Sequence, residues 1–282
     1  MTVRTVCPYC GVGCGLLVTP DGTVSGDPNH PANFGRLCSK GAALGQTLAA
    51  EERLHEPMIG GRQASWDEAL DLVAARFTQA VARDGPDSVA FYVSGQLLTE
   101  DYYVANKLSK GFIGTANIDS NSRLCMASSV AGHIRAFGED VVPGCYEDID
   151  QTDLAVIVGS NTAWCHPVLY QRLAAAKEKR GTRVVVIDPR RTATCNIADL
   201  HLPLRPGSDV AVFAGLLRYL VEHGACNDAW TTRYTNGCSA ALAHAPRPIK
   251  PQQSLMLPLP TSAIFITGSP PPSGLSRSIL KG

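Results

Sequence analysis

Three cysteines fall within eight residues in Cys7-Pro8-Tyr9-Cys10-Gly11-Val12-Gly13-Cys14, and a fourth stands in Cys38-Ser39-Lys40-Gly41. This C-x2-C-x3-C run and its distant fourth thiol constrain the start of the chain more than any hydrophobic pattern does. Proline and glycines between the thiols let the backbone wrap around one soft metal centre. Four cysteines are the usual ligand shell of a [4Fe–4S] cluster. A structural zinc ion accepts the same four ligands tetrahedrally, although zinc sites more often show paired C-x2-C knuckles. Spacing therefore favours the cluster and leaves zinc as the rival.

The rest of the composition narrows the class. A chain of 282 residues accommodates a small module and one larger domain. Lys+Arg and Asp+Glu are both 25, so the formal net charge is zero, and no basic excess points to nucleic acid or an anionic membrane. No apolar run reaches the length of a transmembrane helix. Met1–Val6 holds one arginine, no apolar h-region and no twin-arginine pair, from which a cytoplasmic location is expected. In that compartment the ten cysteines read as metal ligands and spare thiols, not disulfides.

Residues 1–55 are expected to form the metal module, with short strands at 3–6, 16–19 and 23–25 and a helix at 40–52. Pro20-Asp21-Gly22 is a turn signal. His30 reads as a loop histidine outside the ligand set. The spacing predicts a helix over 65–83 that opens on a capping box of Ser65 and Glu68 and carries a core stripe through Trp66, Leu70, Val73 and Phe77. Strands and helices then alternate. Strands are expected at 89–93, 154–158, 183–187 and 201–204, and helices at 98–113, 126–137, 167–180 and 209–223. Such alternation predicts an α/β fold, a doubly wound and mostly parallel Rossmann-like sheet over 56–236.

Ligands bind such sheets at the carboxyl ends of the strands. Two strand ends stand out. Gly159-Ser160-Asn161 offers backbone N–H groups and little bulk, and Asp188 stands where an acidic residue holds a ribose hydroxyl. Cys125, at a loop-to-helix junction beside Arg123, is the remaining thiol with the character of a soft-metal ligand. The other five cysteines read as structural or spare.

With these motifs in order, the chain resembles the molybdopterin oxidoreductases that carry a bis-molybdopterin guanine dinucleotide. Within that family it looks most like the catalytic subunit of bacterial assimilatory nitrate reductases. The resemblance runs from about Val3 to about Asn236. It implies that Cys7, Cys10, Cys14 and Cys38 hold a [4Fe–4S] cluster, which nearly removes the zinc alternative. It implies that Lys40 lies between cluster and pterin and that Cys125 ligates molybdenum. Gly159, Ser160, Asn161 and His166 would line a cofactor loop. Asp188 and Arg190 would line a nucleotide loop, and Gly207 and Asp209 a loop whose carboxylate reads a guanine edge. The activity implied is reduction of nitrate to nitrite. Electrons would come from a donor protein, whether flavoprotein, ferredoxin or flavodoxin, and Arg123 would stand near the anion.

Formate dehydrogenases of the same family are the near rival. Their metal-ligating residue is typically followed by histidine, whereas Met126 follows Cys125 here. The rival of another class is an inactive iron–sulfur electron-transfer module, because family members of this kind are much longer. Residues 237–282 are expected to be a Pro-rich tail, disordered or frameshifted. No acidic residue follows Asp228, and one choice of codons for 265–269, read from its third base, can be translated into family-like sequence.

Overall fold

The computed structural model describes residues 1–48 and 53–245, and the backbone of 279–281. It divides into two compact units, Met1–Ala43 with Gly144–Gly282, and Leu44–Pro143.

The chain begins with a three-stranded antiparallel sheet of β1 (Val3–Val6), β2 (Gly15–Val18) and β3 (Val24–Gly26), in that spatial order. Thr19–Thr23 closes the β2–β3 hairpin, with the Thr19 and Thr23 hydroxyls both bonded to the Asp21 carboxylate. Two glycines in this module are dictated by close approach. A Cβ on Gly15 would fall 2.3 Å from the His30 side chain, and one on Gly26 would fall 2.2 Å from the Gly35 carbonyl oxygen. Asn33, fully buried, takes the place of a strand beside Gly15. It accepts from the Gly15 N–H at 2.9 Å and donates to the Gly15 carbonyl at 3.1 Å. The described part of the helix expected over 40–52 is not one continuous α-helix. It consists of α1 (Ser39–Ala42) and a 3-10 turn at Leu44–Leu48, and 49–52 lie outside the described residues.

The Leu44–Pro143 unit holds a small hairpin of β4 (Met58–Ile59) and β5 (Arg62–Gln63) and the long helix α2 (Trp66–Asp84). Ser65 caps α2 by accepting from the Glu68 N–H at 3.1 Å. The capping box is only half made, because the Glu68 carboxylate pairs with Arg62 instead of returning to the cap. A parallel pair follows, β6 (Phe91–Val93) and β7 (Ile118–Ser120). Between them runs α3 (Thr99–Asn106), continued by a π-helical segment to Ile113 and stopped by Gly114 at φ 85°. Then come α4 (Ser122–Cys125) and α5 (Ala127–Phe137). The expected core stripe of α2 is not buried. Trp66 is 65% exposed, Leu70 58% and Val73 49%, and no residue of the helix is buried. The amphipathic pattern made the helix, but among the described residues of its own unit nothing buries its apolar face.

The other unit resumes with α6 (Tyr146–Gln151), β8 (Leu154–Val158), α7 (Thr162–Cys165), α8 (Pro167–Arg180), β9 (Arg183–Ile187), β10 (Leu200–Leu202), α9 (Asp209–Glu222), α10 (Asp228–Tyr234) and α11 (Cys238–His244). Strand β11 (Ile279–Lys281) completes a parallel sheet in the order β10-β9-β8-β11. Alternation along the strands sorts two cores. Ala155, Ile157, Val184 and Val186 face Ile149 and Leu173 of α6 and α8. Val185, Ile187 and Leu202, with Val156 and Val158, face Val212 and Phe213 of α9. Helices thus cover both faces, as the doubly wound expectation requires, while the parallel strands of the chain are split between two sheets. Helix α11 falls where an irregular tail was expected from residue 237. The rest of that expected tail, 246–278 and Gly282, lies outside the described residues.

Candidate functional site

The four N-terminal cysteines converge. Cys7, Cys10, Cys14 and Cys38 line one small cavity, whose remaining walls include Val12, Leu37 and Gly41 of the same module and Pro167 and Val168 of α8. The Cys7 N–H bonds to the Cys14 carbonyl at 2.8 Å, closing the loop that carries three of the thiols. Burial, and then the neighbouring thiols Cys7, Cys10 and Cys38, push the Cys14 thiol up to about 11. Four thiolates cannot share apolar walls without a positively charged core to offset their repulsion, so the donor set suits a bound metal centre. Among the described residues no group of His, Cys, Asp and Glu is arranged to hold a metal ion directly. Thiols spread around a cavity fit a multi-iron core better than one zinc ion. His30 is not among the lining residues; its Nδ1 takes the Ala32 N–H at 3.3 Å.

Lys40 and His166 stand beside this cavity, one in α1 and the other immediately before α8. Burial, reinforced by the Lys40 charge, lowers the His166 pKa from its ordinary value of 6.5, favouring the neutral imidazole.

The strand-end loops lie side by side because β8, β9 and β10 are adjacent and parallel. Gly159, at φ 60°, ties its N–H to Ile187 O at 2.9 Å. Ser160 is buried, and its Oγ meets the Thr162 hydroxyl at 3.0 Å. The Asn161 side chain accepts from Thr194 at 3.0 Å. Asp188 is buried and accepts from the Arg190 N–H at 2.8 Å, while its carbonyl meets His201 Nε2 at 2.9 Å. Gly207, at φ 84°, turns the chain into α9, with Asp209 as its first residue. A Cβ on Gly159 or Gly207 would meet nothing within 4 Å, so both glycines serve backbone conformation and leave open space at the strand ends. Among the described residues, the buried side-chain oxygen without a hydrogen-bond partner is Thr192 Oγ1, in the loop after β9. Backbone N–H groups, an orphaned hydroxyl and a buried carboxylate on one sheet edge fit a phosphate- and ribose-bearing cofactor.

Cys125 and Arg123 belong to the other compact unit. They follow the carboxyl end of β7, and Asn121 there accepts from the Gly95 N–H, beyond the end of β6, at 2.7 Å. Cys125 is exposed and ends α4, with Sγ 4.0 Å from the Ser122 carbonyl. Arg123 does not face its thiol as an isolated cation; it pairs with Asp119 at 3.5 Å.

Sequence reading missed two residues next to the thiols. Tyr146 hydrogen-bonds the Gly11 and Val12 carbonyls, at 3.2 and 2.9 Å. Burial, then the Cys14 and Cys10 thiols, push its hydroxyl above the ordinary range against the opposing Arg172 charge, so it remains a donor. Arg172 is 1% exposed. The one sequence signal was its place in the buried stripe Val168, Arg172 and Ala176 of α8, where an arginine breaks an apolar pattern.

A four-thiol module and a parallel α/β sheet with open strand ends suit a redox protein that holds a metal centre and a nucleotide-bearing cofactor. The molybdopterin oxidoreductase Fe4S4 domain matches residues 1–50, and the molybdopterin oxidoreductase domain matches residues 53–271. The chain belongs to the molybdopterin oxidoreductase family, whose cofactors are a [4Fe–4S] cluster and a molybdopterin-bound metal. It is 61% identical over 230 residues to a nitrate reductase of Klebsiella oxytoca, covering 80% of this chain and 27% of that protein. It is 47% identical over 245 residues to a periplasmic nitrate reductase of Desulfovibrio desulfuricans, covering 83% and 32%. The chain thus spans about a third or less of these relatives. Among solved structures it is similar to an acetylene hydratase of Pelobacter acetylenicus, with a TM-score of 0.72 at 22% identity over 86% of this chain and 35% of that one. That likeness concerns the fold alone. No described helix is long and apolar enough to cross a membrane.

Proposed function

We propose that this chain is the cluster- and pterin-holding portion of a nitrate reductase that converts nitrate to nitrite. The convergence of four thiols on one cavity, in a chain 61% identical to a nitrate reductase, carries the reading. Cys7, Cys10, Cys14 and Cys38 hold the cluster, and residues 1–55 form its module. Lys40 places a fixed positive charge on the electron path. Cys125 holds the metal through its thiolate. Gly159, Ser160, Asn161, His166, Asp188 and Arg190 seat the pterin nucleotides within residues 56–236, with Gly207 turning the chain so that the Asp209 carboxylate accepts guanine N–H groups. Arg123, held by Asp119, adds positive charge near Cys125 that favours an anion. When bound, the cofactors supply single-electron delivery and the two-electron removal of one oxygen from nitrate. Electrons arrive from a donor protein such as a flavoprotein, ferredoxin or flavodoxin.

Met126 after Cys125 supports oxygen transfer over formate oxidation, because no histidine stands ready to take the substrate proton. We place the protein in cytoplasmic nitrate assimilation. The second reading is an iron–sulfur module without turnover, supported by the exposure of Cys125.

Metal analysis of the anaerobically purified chain, followed by viologen-linked assays, tests these readings. Iron at about four per chain, molybdenum and nitrate turnover support the reductase. Iron without molybdenum or turnover supports the module. One zinc per chain overturns the cluster, and formate oxidation in place of nitrate reduction overturns the substrate.

A further inference from the structure

Two side chains outside every cysteine motif grip the cluster module from the sheet side. The Arg172 guanidinium uses all five of its N–H donors. Nε and Nη2 bond the Asp150 carboxylate at 3.1 and 2.5 Å, and Nη2 also bonds the Tyr146 carbonyl at 3.1 Å. Nη1 bonds the Pro31 and Ala32 carbonyls at 2.7 and 2.8 Å. The guanidinium lies over the Phe34 and Tyr146 rings, 5.2 and 5.6 Å from their centroids. A buried arginine with every donor matched in a fixed fork has one orientation, and Tyr146 is held by it through both backbone and ring. The Tyr146 hydroxyl then reaches the carbonyls of Gly11 and Val12, between Cys10 and Cys14. Fold contacts alone do not require that reach: of all the residues in the C-x3-C stretch, the hydroxyl selects the two carbonyls flanking the cavity-lining Val12.

We infer that Tyr146, oriented by Arg172, is a positioning residue that fixes the Cys10–Cys14 loop and raises the reduction potential of the centre bound there. The inference rests on the reading that the four-thiol cavity holds a [4Fe–4S] cluster. An O–H donating to a peptide carbonyl polarises that peptide and strengthens its N–H as a donor. The Gly11 carbonyl, at 3.2 Å, belongs to the peptide that carries the Val12 N–H; the Val12 carbonyl, at 2.9 Å, belongs to the peptide that carries the Gly13 N–H, which bonds the Cys10 carbonyl at 3.3 Å and holds the loop closed. Stronger donors around the ligating sulfurs favour the reduced, more negative cluster.

The test uses the full chain with its cluster reconstituted anaerobically, titrated against redox mediators and followed by electron paramagnetic resonance. Tyr146→Phe keeps the ring over Arg172 and removes only the hydroxyl. It is expected to retain the wild-type iron content, to move the reduction equilibrium about fivefold toward the oxidised form, as loss of about one hydrogen bond implies, and to lose its cluster to a chelator several-fold faster. Phe34→Leu removes a ring stacked on the guanidinium but none of the five hydrogen bonds that fix Arg172, so Tyr146 keeps its orientation and the equilibrium is expected to stay at the wild-type value. An unshifted equilibrium in Tyr146→Phe, or equal shifts in both variants, overturns the inference while the cluster reading stands. A wild-type chain that takes up zinc and no iron overturns the cluster reading itself.

Discussion

The two compact units treat the same kind of sequence pattern differently. In the unit of Met1–Ala43 and Gly144–Gly282, apolar positions on β8, β9 and α8 meet one another, and Ile157, Val184, Val186 and Leu173 are each at most 1% exposed. In Leu44–Pro143 the buried apolar residues, among those described, are Ala64 and Val89. Helix α2 there is as well patterned as α8, yet Trp66, Leu70 and Val73 face outward, as do Tyr103, Phe112 and Phe137 elsewhere in the unit. Periodicity decides that a helix forms and which face is apolar. Whether that face is covered depends on polypeptide elsewhere, and an exposed apolar surface of this kind marks a place for further protein or a route to aggregation.

Breaking the buried guanidinium sets the scale of the contrast. Arg172→Ala strands the Asp150 carboxylate and three backbone carbonyls, and is expected to cost about 3–5 kcal/mol in denaturant unfolding. Trp66→Ala removes a larger side chain that is 65% exposed and is expected to cost less than about 1 kcal/mol. Comparable losses from the two variants would mean that the units are equally well packed.

Capping should matter more to the open unit than its apolar stripe does. Ser65→Ala removes the acceptor of the Glu68 N–H and is expected to cost about 1 kcal/mol, read as helix signal lost on heating. A smaller loss than that of Trp66→Ala would show that the stripe is packed after all.

The smallest expected effect is an acid limb that belongs to the first unit. The His166 pKa is lowered by burial and then by Lys40, so the unfolded chain binds the proton first as pH falls. Stability contributed by His166 is complete above its ordinary value of 6.5 and is lost as pH drops from there toward the folded value. Asp199 adds to the loss at lower pH. Burial raises its pKa, but the Lys177 and Val184 hydrogen bonds and nearby positive charge outweigh burial and hold it below 3.8. His166→Gln is expected to flatten the stability profile just below pH 6.5, measured as thermal midpoint against pH. An unchanged slope would assign the acid limb to other groups.

Most strand and helix positions of the sheet unit were legible because they obey local rules. Val158 and Ile187 end at Gly159 and Asp188, and Gly181 at φ 75° stops α8 where a C-cap glycine was expected. The four converging thiols were legible as a set because cysteine spacing is itself a local signal. The short α1, the half-made capping box and the Arg123–Asp119 pair were not, because each is settled by a competing partner that sequence spacing does not rank.

The sequence by itself determined the spacing of the four N-terminal cysteines, the alternation of strands and helices, and the strand-end loops, since these depend on residue type, period and turn chemistry within a few positions. Only the tertiary structure decided that four thiols share one cavity and that Tyr146 and Arg172 hold its loop from more than a hundred residues away in the chain. It alone left the α2 stripe uncovered. Those outcomes depend on which surfaces meet in space, and burial is a property of the meeting, not of the residue.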